Sequence, residues 1–274
     1  MQVQNSFYEN VLFPDPDLPV IFHYDRIHSD TEFIPHWQDG PELLYFTEGE
    51  AEVMSDTQKA LCHTKDIAWI NSSHLHNIRA LTESCRYYCL IVDRVFFDRQ
   101  EIPVADLSLA LRISDTQMQD FFDGVIREML EKKSCYKAAI RAYLTGMAIH
   151  MCRDYQTLPD AVTPAQNRQL VMVKDAILYI QKNFMKNITV DQVSAAAGFS
   201  KYYLCRGFKE LTGHTVVDYL NLTRCSHARH LLSTGKYNVS ESAQRSGFTN
   251  LSYFTKTYKR YTGMLPSRSA REKN

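Results

Sequence analysis

Features that mark several common protein classes are absent from this chain of 274 residues. No apolar run reaches the roughly 18 to 20 residues that a membrane-spanning helix needs. Residues 1–10 contain no basic stretch followed by an apolar one, so we expect no secretory signal. The seven cysteines include no Cys-x-x-Cys pair, which argues against a zinc knuckle and a disulfide framework. An apolar content of 45% excludes global disorder, and we expect a reduced, cytoplasmic protein without a membrane partner.

The absence of net charge conceals a strong asymmetry along the chain. Residues 168–274 carry 17 basic and 6 acidic side chains, a net charge of +11, whereas residues 1–167 carry 14 basic and 25 acidic ones, a net charge of −11. A basic half of this kind favours a polyanionic partner. Charge alone is equally compatible with a solvated basic surface that has no partner.

The two halves also differ in hydrophobic periodicity. Residues 16–93 contain short apolar or alternating runs between turn-like clusters, which predicts a β-sandwich or barrel. Residues 116–153 have apolar positions at i, i+3, i+4 and i+7, which predicts two amphipathic helices. These helices could pack on their own β-domain or on a second copy of the chain, and we favour a mixture. The polar segment 158–169 contains two prolines and is predicted to be an interdomain linker.

An internal repeat in the basic half is the strongest signal in the sequence. Residues 189–192 (TVDQ) are matched 49 residues later by residues 238–241 (NVSE), and both begin a predicted helix with a capping-box-like pair. Residues 198–200 (GFS) and 247–249 (GFT) follow at the same offset. They predict a left-handed glycine turn and then a Ser or Thr N-cap for a second helix. Each unit is therefore predicted to be a helix-turn-helix.

The second helix of each unit is predicted to bury one face and to present the other to double-stranded DNA, because an α-helix fits the major groove. We expect Arg206 to bond a guanine, and Tyr202 and Leu251 to pack against thymine methyl groups. Lys209 and Lys259 are expected to lie on phosphates. The predicted DNA-binding residues are Lys201, Tyr202, Cys205, Arg206 and Lys209 in the first unit, and Asn250, Leu251, Ser252, Thr255, Lys256 and Lys259 in the second.

Residues 200–213 (SKYYLCRGFKELTG) and 247–266 (GFTNLSYFTKTYKRYTGMLP) resemble the AraC/XylS family of bacterial transcription regulators. The resemblance covers residues 170–270 and implies two helix-turn-helix units on adjacent major-groove segments. Two positions depart from the family pattern. Gly207 stands where a large apolar residue is usual, so we expect a packing gap and a cost of about 1 kcal/mol relative to alanine. Ser194 replaces a small apolar residue.

The front half resembles the cupin-like sensor barrel of the same family. Residues 35–49 (PHWQDGPELLYFTEG) are similar to the first cupin motif and residues 65–76 (KDIAWINSSHLH) to the second. The resemblance implies an effector-binding barrel followed by dimerising helices. We expect the effector to be a small polar molecule such as a sugar. The predicted ligand-binding residues are His36, Gln38, Glu42, Tyr45, Trp69 and His76.

The same motifs raise the question of a metal site. Two imidazoles and one carboxylate, from His36, His76 and Glu42, are compatible with an open site for a divalent ion. Cupin enzymes often use three histidines and a glutamate, and here Gln38 stands in place of one histidine. Regulators that resemble this chain usually keep the barrel without metal. Because the ligand set is only partly met, we expect no metal and no other cofactor.

Together these features predict an α+β multidomain protein. Its expected domains are a cupin-like β-barrel (1–105), a helical dimerisation segment (106–157), a linker (158–169) and an all-α double helix-turn-helix domain (170–274). We expect a homodimeric, sequence-specific transcription regulator and not an enzyme, with activation as the more frequent behaviour of such regulators and RNA polymerase as a further partner. Two alternatives stay open: a metal-dependent cupin enzyme with an incidental basic tail, and an architectural DNA-binding protein indifferent to sequence.

Overall fold

The structure, a computed structural model, describes residues 15, 17–29, 35–158 and 163–270. The chain forms two compact units that divide at residues 162–163. Among the described residues, none of the helices combines the length and the apolar character needed to cross a lipid bilayer.

The first unit is built on two antiparallel sheets. The larger sheet has the strand order β1-β7-β2-β5-β8 and the smaller one the order β4-β3-β6. The strands are β1 (Val20–His28), β2 (Glu42–Glu48), β3 (Ala51–Ser55), β4 (Gln58–Cys62), β5 (Ile67–Ile70), β6 (His76–Ala80), β7 (Ser84–Val92) and β8 (Arg112–Ile113). This confirms the predicted β-rich front half.

Successive side chains in the strands of the larger sheet point to opposite faces, so the sheet contributes to two separate hydrophobic cores. In β2, Leu44 and Phe46 pack between the two sheets with Val53 of β3. Leu43 and Tyr45 point to the opposite face, because successive side chains of a strand alternate. The larger sheet is therefore buried on both sides, by the smaller sheet on one and by helices on the other.

In the described part of the first unit the helices are α1 (Arg94–Asp98), α2 (Thr116–Glu131) and α3 (Tyr136–Asp154). The two predicted amphipathic helices are confirmed as α2 and α3. Their apolar faces, with Phe122 and Leu144, pack in the core that contains Leu43 and Tyr45, so these faces are covered by their own β-domain. Leu130 of α2 keeps 69% of its surface exposed.

The second unit is helical throughout. Its helices are α4 (Pro164–Asn183), α5 (Val190–Ala196), α6 (Lys201–Thr212), α7 (Val216–Thr234), α8 (Val239–Arg245), α9 (Leu251–Thr262) and α10 (Pro266–Ser269). Helix α4 begins inside the segment predicted as a linker, because Thr163 and Gln166 form a capping box and proline occupies the first turn.

The two helix-turn-helix units are α5–α6 and α8–α9, as the repeat predicts. The glycines that end α5 and α8, Gly198 and Gly247, have φ angles of 76° and 86°. The predicted N-cap of α9 is wrong in one detail. Asn250, and not Thr249, caps α9 by accepting from the backbone N–H of Tyr253, so the second unit has one more residue in its turn than the first.

The packing gap expected at Gly207 does not exist. A Cβ atom built at this position would lie 2.7 Å from Met172 Cε and 2.9 Å from Gln169 Nε2. Both side chains belong to α4, so the glycine permits a close approach of α4 to α6. Gly207 is therefore a contact point between two helices and not a defect in one of them.

Candidate nucleic-acid interface and buried polar cluster

Helices α6 and α9 each bury one face and expose the other. Leu204 and Phe208 of α6, and Phe254 and Tyr258 of α9, are fully buried, as predicted. Ten of the eleven predicted DNA-binding side chains are exposed, and only Thr255 is half-buried. From the N-terminus of each helix onward, equivalent residues are 50 positions apart, so the two outward faces present matching positions.

Local contacts hold several of these side chains. Lys201 pairs with Asp191 of α5 at 3.0 Å. Thr255 donates its hydroxyl to the carbonyl of Leu251, one turn earlier in α9. Asn250 caps α9, so its side-chain oxygen Oδ1 already accepts a hydrogen bond within the protein.

The lysines Lys209, Lys256 and Lys259 form no ion pair with any side chain in the part of the chain that the structure describes. All three are exposed on the outward faces of α6 and α9. These three uncompensated positive charges attract an anion.

Exposed aromatic residues extend both outward faces beyond the predicted set. Tyr202 is 79% exposed. Tyr203 and Tyr253, which the sequence prediction omitted, are also exposed, at 38% and 50%. Each contacts an aromatic residue of the preceding turn: Tyr203 stacks on half-buried Phe199, and Tyr253 lies against buried Phe248. Tyr203 and Tyr253 occupy the same position of the repeat, and the sequence alone could have identified them on that basis.

A second cluster of polar side chains lies inside the first unit, where little water reaches it. His36, Gln38, Glu42 and His76 are each at most 6% exposed. Glu42 Oε2 accepts from Gln38 Nε2 at 2.9 Å and lies 3.0 Å from His76 Nε2. Backbone hydrogen bonds in both directions between His36 and His76 hold the two imidazoles side by side, with ring centroids 4.3 Å apart. The structure thus brings together four of the six predicted ligand-binding residues.

Cys89 of β7 is a member of this cluster that sequence reasoning missed. Its thiol donates to Glu42 Oε1 at 3.2 Å. Cys89 is buried and lies opposite Leu44 in the register of β2 and β7. A cysteine in an apolar strand is usually a small core residue, and only the pairing of β2 with β7 shows its polar neighbour.

The cluster keeps Glu42 ionised. Burial alone would raise the pKa of this carboxyl group. The imidazoles of His76 and His36 and the Cys89 thiol outweigh burial and lower the pKa of Glu42 to about 2. A buried carboxylate is therefore present at neutral pH, with its negative charge facing two histidines.

Tyr45 and Trp69 lie on the other face of the larger sheet, which corrects their predicted place in the ligand site. Tyr45 packs against Phe122 of α2, with ring centroids 5.1 Å apart, and Trp69 is buried in the same core. A strand fixes which residues share a face, but which face points inward depends on its pairing with other strands. Trp37, in contrast, adjoins the cluster in sequence and is buried.

Three residues of the cluster have the composition of a metal-binding set. Ligand atoms of His36, Glu42 and His76 all lie within 4.8 Å of one another, and all three side chains are buried. Two imidazole nitrogens and a carboxylate oxygen are donors that divalent first-row transition metals accept.

Family models match most of the chain. A model described as an AraC-like ligand binding domain matches residues 18–145, and a model described as a helix-turn-helix domain matches residues 193–272. The first covers both sheets together with α2, and the second extends from the middle of α5 through the second helix-turn-helix unit.

Individual proteins are similar over both units or over the second one. YdeC of Bacillus subtilis, an uncharacterised HTH-type transcriptional regulator, is 25% identical over 267 residues and covers 91% of each chain. The transposon Tn10 TetD protein of Escherichia coli is 31% identical over 102 residues, which are 37% of this chain and 74% of TetD. A solved structure of ToxT from Vibrio cholerae has a TM-score of 0.50 at 13% identity and covers 92% of this chain and 98% of ToxT. That likeness concerns the fold alone.

Proposed function

The chain belongs to the AraC family of transcription regulators, and we propose that its DNA contacts are made by the outward faces of α6 and α9. The observation that supports this assignment is the equivalence of the two exposed faces. Each is basic, each begins at a capped helix N-terminus, and each is backed by buried aromatic or aliphatic residues. Such faces fit consecutive major-groove segments of one duplex.

Within this interface the side chains divide between base contacts and phosphate contacts. Arg206 has a planar guanidinium that can bond a guanine at two atoms, and it is 68% exposed on α6. Lys209 and Lys259 occupy the same position of the repeat, near the end of the outward faces, and we assign them to phosphates. The regulator is then sequence-specific rather than architectural.

In the first unit we place the effector at His36, Gln38, Glu42 and His76. These buried side chains offer a charge and several hydrogen-bonding groups at one point in an otherwise apolar core, which suits a small polar molecule such as a sugar. Tyr45 and Trp69 are left out of this site because they face the helices. No catalytic role is assigned to the cluster.

Further parts of the proposal concern assembly and regulation. The protein acts in the cytoplasm as a homodimer whose contact lies in residues 116–153, and it activates transcription through RNA polymerase. Leu130 of α2 is an exposed apolar side chain within this range, and it is the position at which we test the dimer contact. Sedimentation of the full chain tests it, and Leu130→Asp should shift a dimer toward monomer. A wild-type monomer at high concentration would remove this part of the proposal.

Two variants test the DNA interface. Arg206→Ala should weaken binding to a selected operator by roughly 5- to 150-fold and relax the preference at one base pair. Lys259→Ala should weaken binding to all duplexes alike and reduce the salt dependence of binding by about one phosphate contact. Both are measured by fluorescence anisotropy on operator and unrelated DNA at several salt concentrations.

The outcomes also separate the alternatives. Equal wild-type affinity for operator and unrelated duplexes would identify an architectural DNA-binding protein. Unchanged binding by Arg206→Ala and Lys259→Ala would show that α6 and α9 are not the interface. Turnover of a substrate without salt-sensitive DNA binding would support an enzyme.

A further inference from the structure

His76 in the buried polar cluster turns one ring nitrogen toward a backbone oxygen and the other toward a carboxylate. Its Nδ1 atom lies 2.8 Å from the backbone oxygen of His74, and a carbonyl oxygen can only accept, so Nδ1 carries a hydrogen. The other ring nitrogen, Nε2, then faces Glu42 Oε2 at 3.0 Å. A neutral imidazole would point a lone pair at a carboxylate oxygen, and two acceptors do not bond. The contact therefore requires a positive charge between the two atoms, which is either a proton carried by His76 or Glu42, or a bound metal ion.

The hydrogen bond from Nδ1 to a backbone carbonyl is also the usual arrangement of a metal-bound histidine. It fixes the tautomer and the ring orientation, and it leaves Nε2 to bind the metal. His36 is held beside His76 by the paired backbone hydrogen bonds, so a second imidazole is oriented by the same local structure.

Gln38 brings an amide group next to the same three residues. Its Nε2 donates to Glu42, which turns the amide and fixes where its oxygen lies. The Oε1 atom is buried and accepts no hydrogen bond from the residues that the structure describes. Burying an amide oxygen without a partner costs free energy, so a group that binds this oxygen is expected. Amide oxygens are ligands of divalent cations.

From these contacts we propose that His36, Glu42 and His76, with Gln38 Oε1, bind one divalent first-row transition-metal ion. The mixed set of two nitrogen and two oxygen ligands suits such ions better than calcium or magnesium, which take oxygen ligands alone. Coordination positions left open by the protein would accept oxygen atoms of a polar effector. The inference therefore deepens the proposed sensory role of this cluster and rests on that role only for its consequence in regulation.

Metal binding to the full, tag-free chain is the test, with Co²⁺ as the probe because its visible absorption reports its ligands. We expect one tightly bound Co²⁺ per chain after dialysis, measured by elemental analysis and absorption, and its displacement by Zn²⁺. Glu42→Gln and His76→Ala should each weaken binding by at least roughly tenfold, the loss that removing even an outer hydrogen-bond partner causes. His230→Ala, which removes an exposed histidine of the second unit, is the matched control and should bind like the wild type.

Substitutions of buried charged residues can prevent folding, so milder variants complete the test. Gln38→Ala removes only the amide and should weaken binding, whereas Gln38→His adds a third imidazole and should tighten it. Circular dichroism shows whether each variant folds. Less than one Co²⁺ per wild-type chain, or binding unaffected by Gln38→Ala and Gln38→His in folded protein, would assign the cation between Glu42 and His76 to a proton and overturn the proposal. Because this measurement contains no DNA, its failure is distinct from a failure of the DNA-binding proposal.

Discussion

Arg206 donates from Nε to Glu210, one turn further along α6, at 2.8 Å. The other carboxylate oxygen of Glu210 accepts from Gln169 of α4, also at 2.8 Å. Gln169 can reach it because Gly207 has no side chain at the point where α4 crosses α6. The guanidinium assigned to base contact is thus oriented by Glu210, a residue to which no base contact is assigned.

Glu210→Ala should therefore separate affinity from discrimination. The substitution removes a carboxylate from the face that we propose contacts DNA, so overall affinity for DNA should rise. It also releases Arg206 from a fixed orientation, so preference at its base pair should fall a few-fold. Asp191→Ala is the matched control, since it removes one acidic partner of Lys201 and should raise affinity with preference unchanged. Anisotropy on operator and mutated operator measures the preference at this base pair. If both variants show the same preference, Glu210 has no positioning role.

Gly207→Ala should leave the protein folded and disturb the same contact. Alanine improves helix propensity by about 1 kcal/mol, while Met172 Cε and Gln169 Nε2 must move. Both atoms end flexible side chains, so we expect the free energy of unfolding to change by no more than about 1 kcal/mol. DNA discrimination should resemble that of Glu210→Ala. Gly207→Leu, which overfills the contact, should lower stability by about 1–3 kcal/mol in urea unfolding.

Asn250→Ala should lower the stability of the second unit by about 1 kcal/mol, because α9 loses the acceptor for the Tyr253 N–H. Asn250→Ser keeps an acceptor and should restore stability and DNA affinity together. If Asn250→Ser is stable but binds operator poorly, Asn250 contacts DNA in addition to capping the helix. Thermal unfolding and anisotropy on the same samples distinguish these results.

Asp115 should make the first unit sensitive to acid. Burial raises the pKa of this carboxyl group, but hydrogen bonds from the Tyr155 hydroxyl, the Met118 N–H and His150 outweigh burial and lower it. A carboxyl whose pKa is lower in the folded than in the unfolded state stabilises the fold above the unfolded value of about 3.9. That contribution is lost as the pH falls through the folded-state pKa.

Asp115→Asn tests this pH dependence, since asparagine can still cap α2 but does not titrate. The wild type should unfold at a higher denaturant concentration than the variant near neutral pH, and the difference should shrink below a pH of about 4. A difference that stays constant with pH would show that the charge of Asp115 contributes nothing.

How far the fold could be predicted depends on whether an element carries its own pattern. Helices α2, α6 and α9 repeat apolar positions over several turns, so spacing alone indicates them. The two-residue strand β8 has no pattern and exists because Ile113 and Arg112 pair with β5, which is distant in sequence. The sequence likewise could not predict the extra residue in the turn before α9, because Thr249 and Asn250 are both suitable N-cap residues.

The two sites differ in the same way. The exposed residues of α6 and α9 follow from helix geometry and needed no tertiary knowledge. The convergence of His36, Glu42 and His76 was predictable only through resemblance, since they come from separate strands and loops. Placing Tyr45 and Trp69 correctly required the register of β2 against β5, in which Leu43 is opposite Trp69.

Strand β2 has Glu42 in the polar cluster at its start and Leu43 and Tyr45 in the helical core on its reverse side. Adjacent residues of one strand cannot move independently, because hydrogen bonds to β5 and β7 hold it on both edges. A rearrangement that moves Glu42 toward a bound molecule must therefore also disturb the packing of α2 against β2. Signal transmission inside the first unit would then pass through β2 itself and would require no hinge and no loop closure.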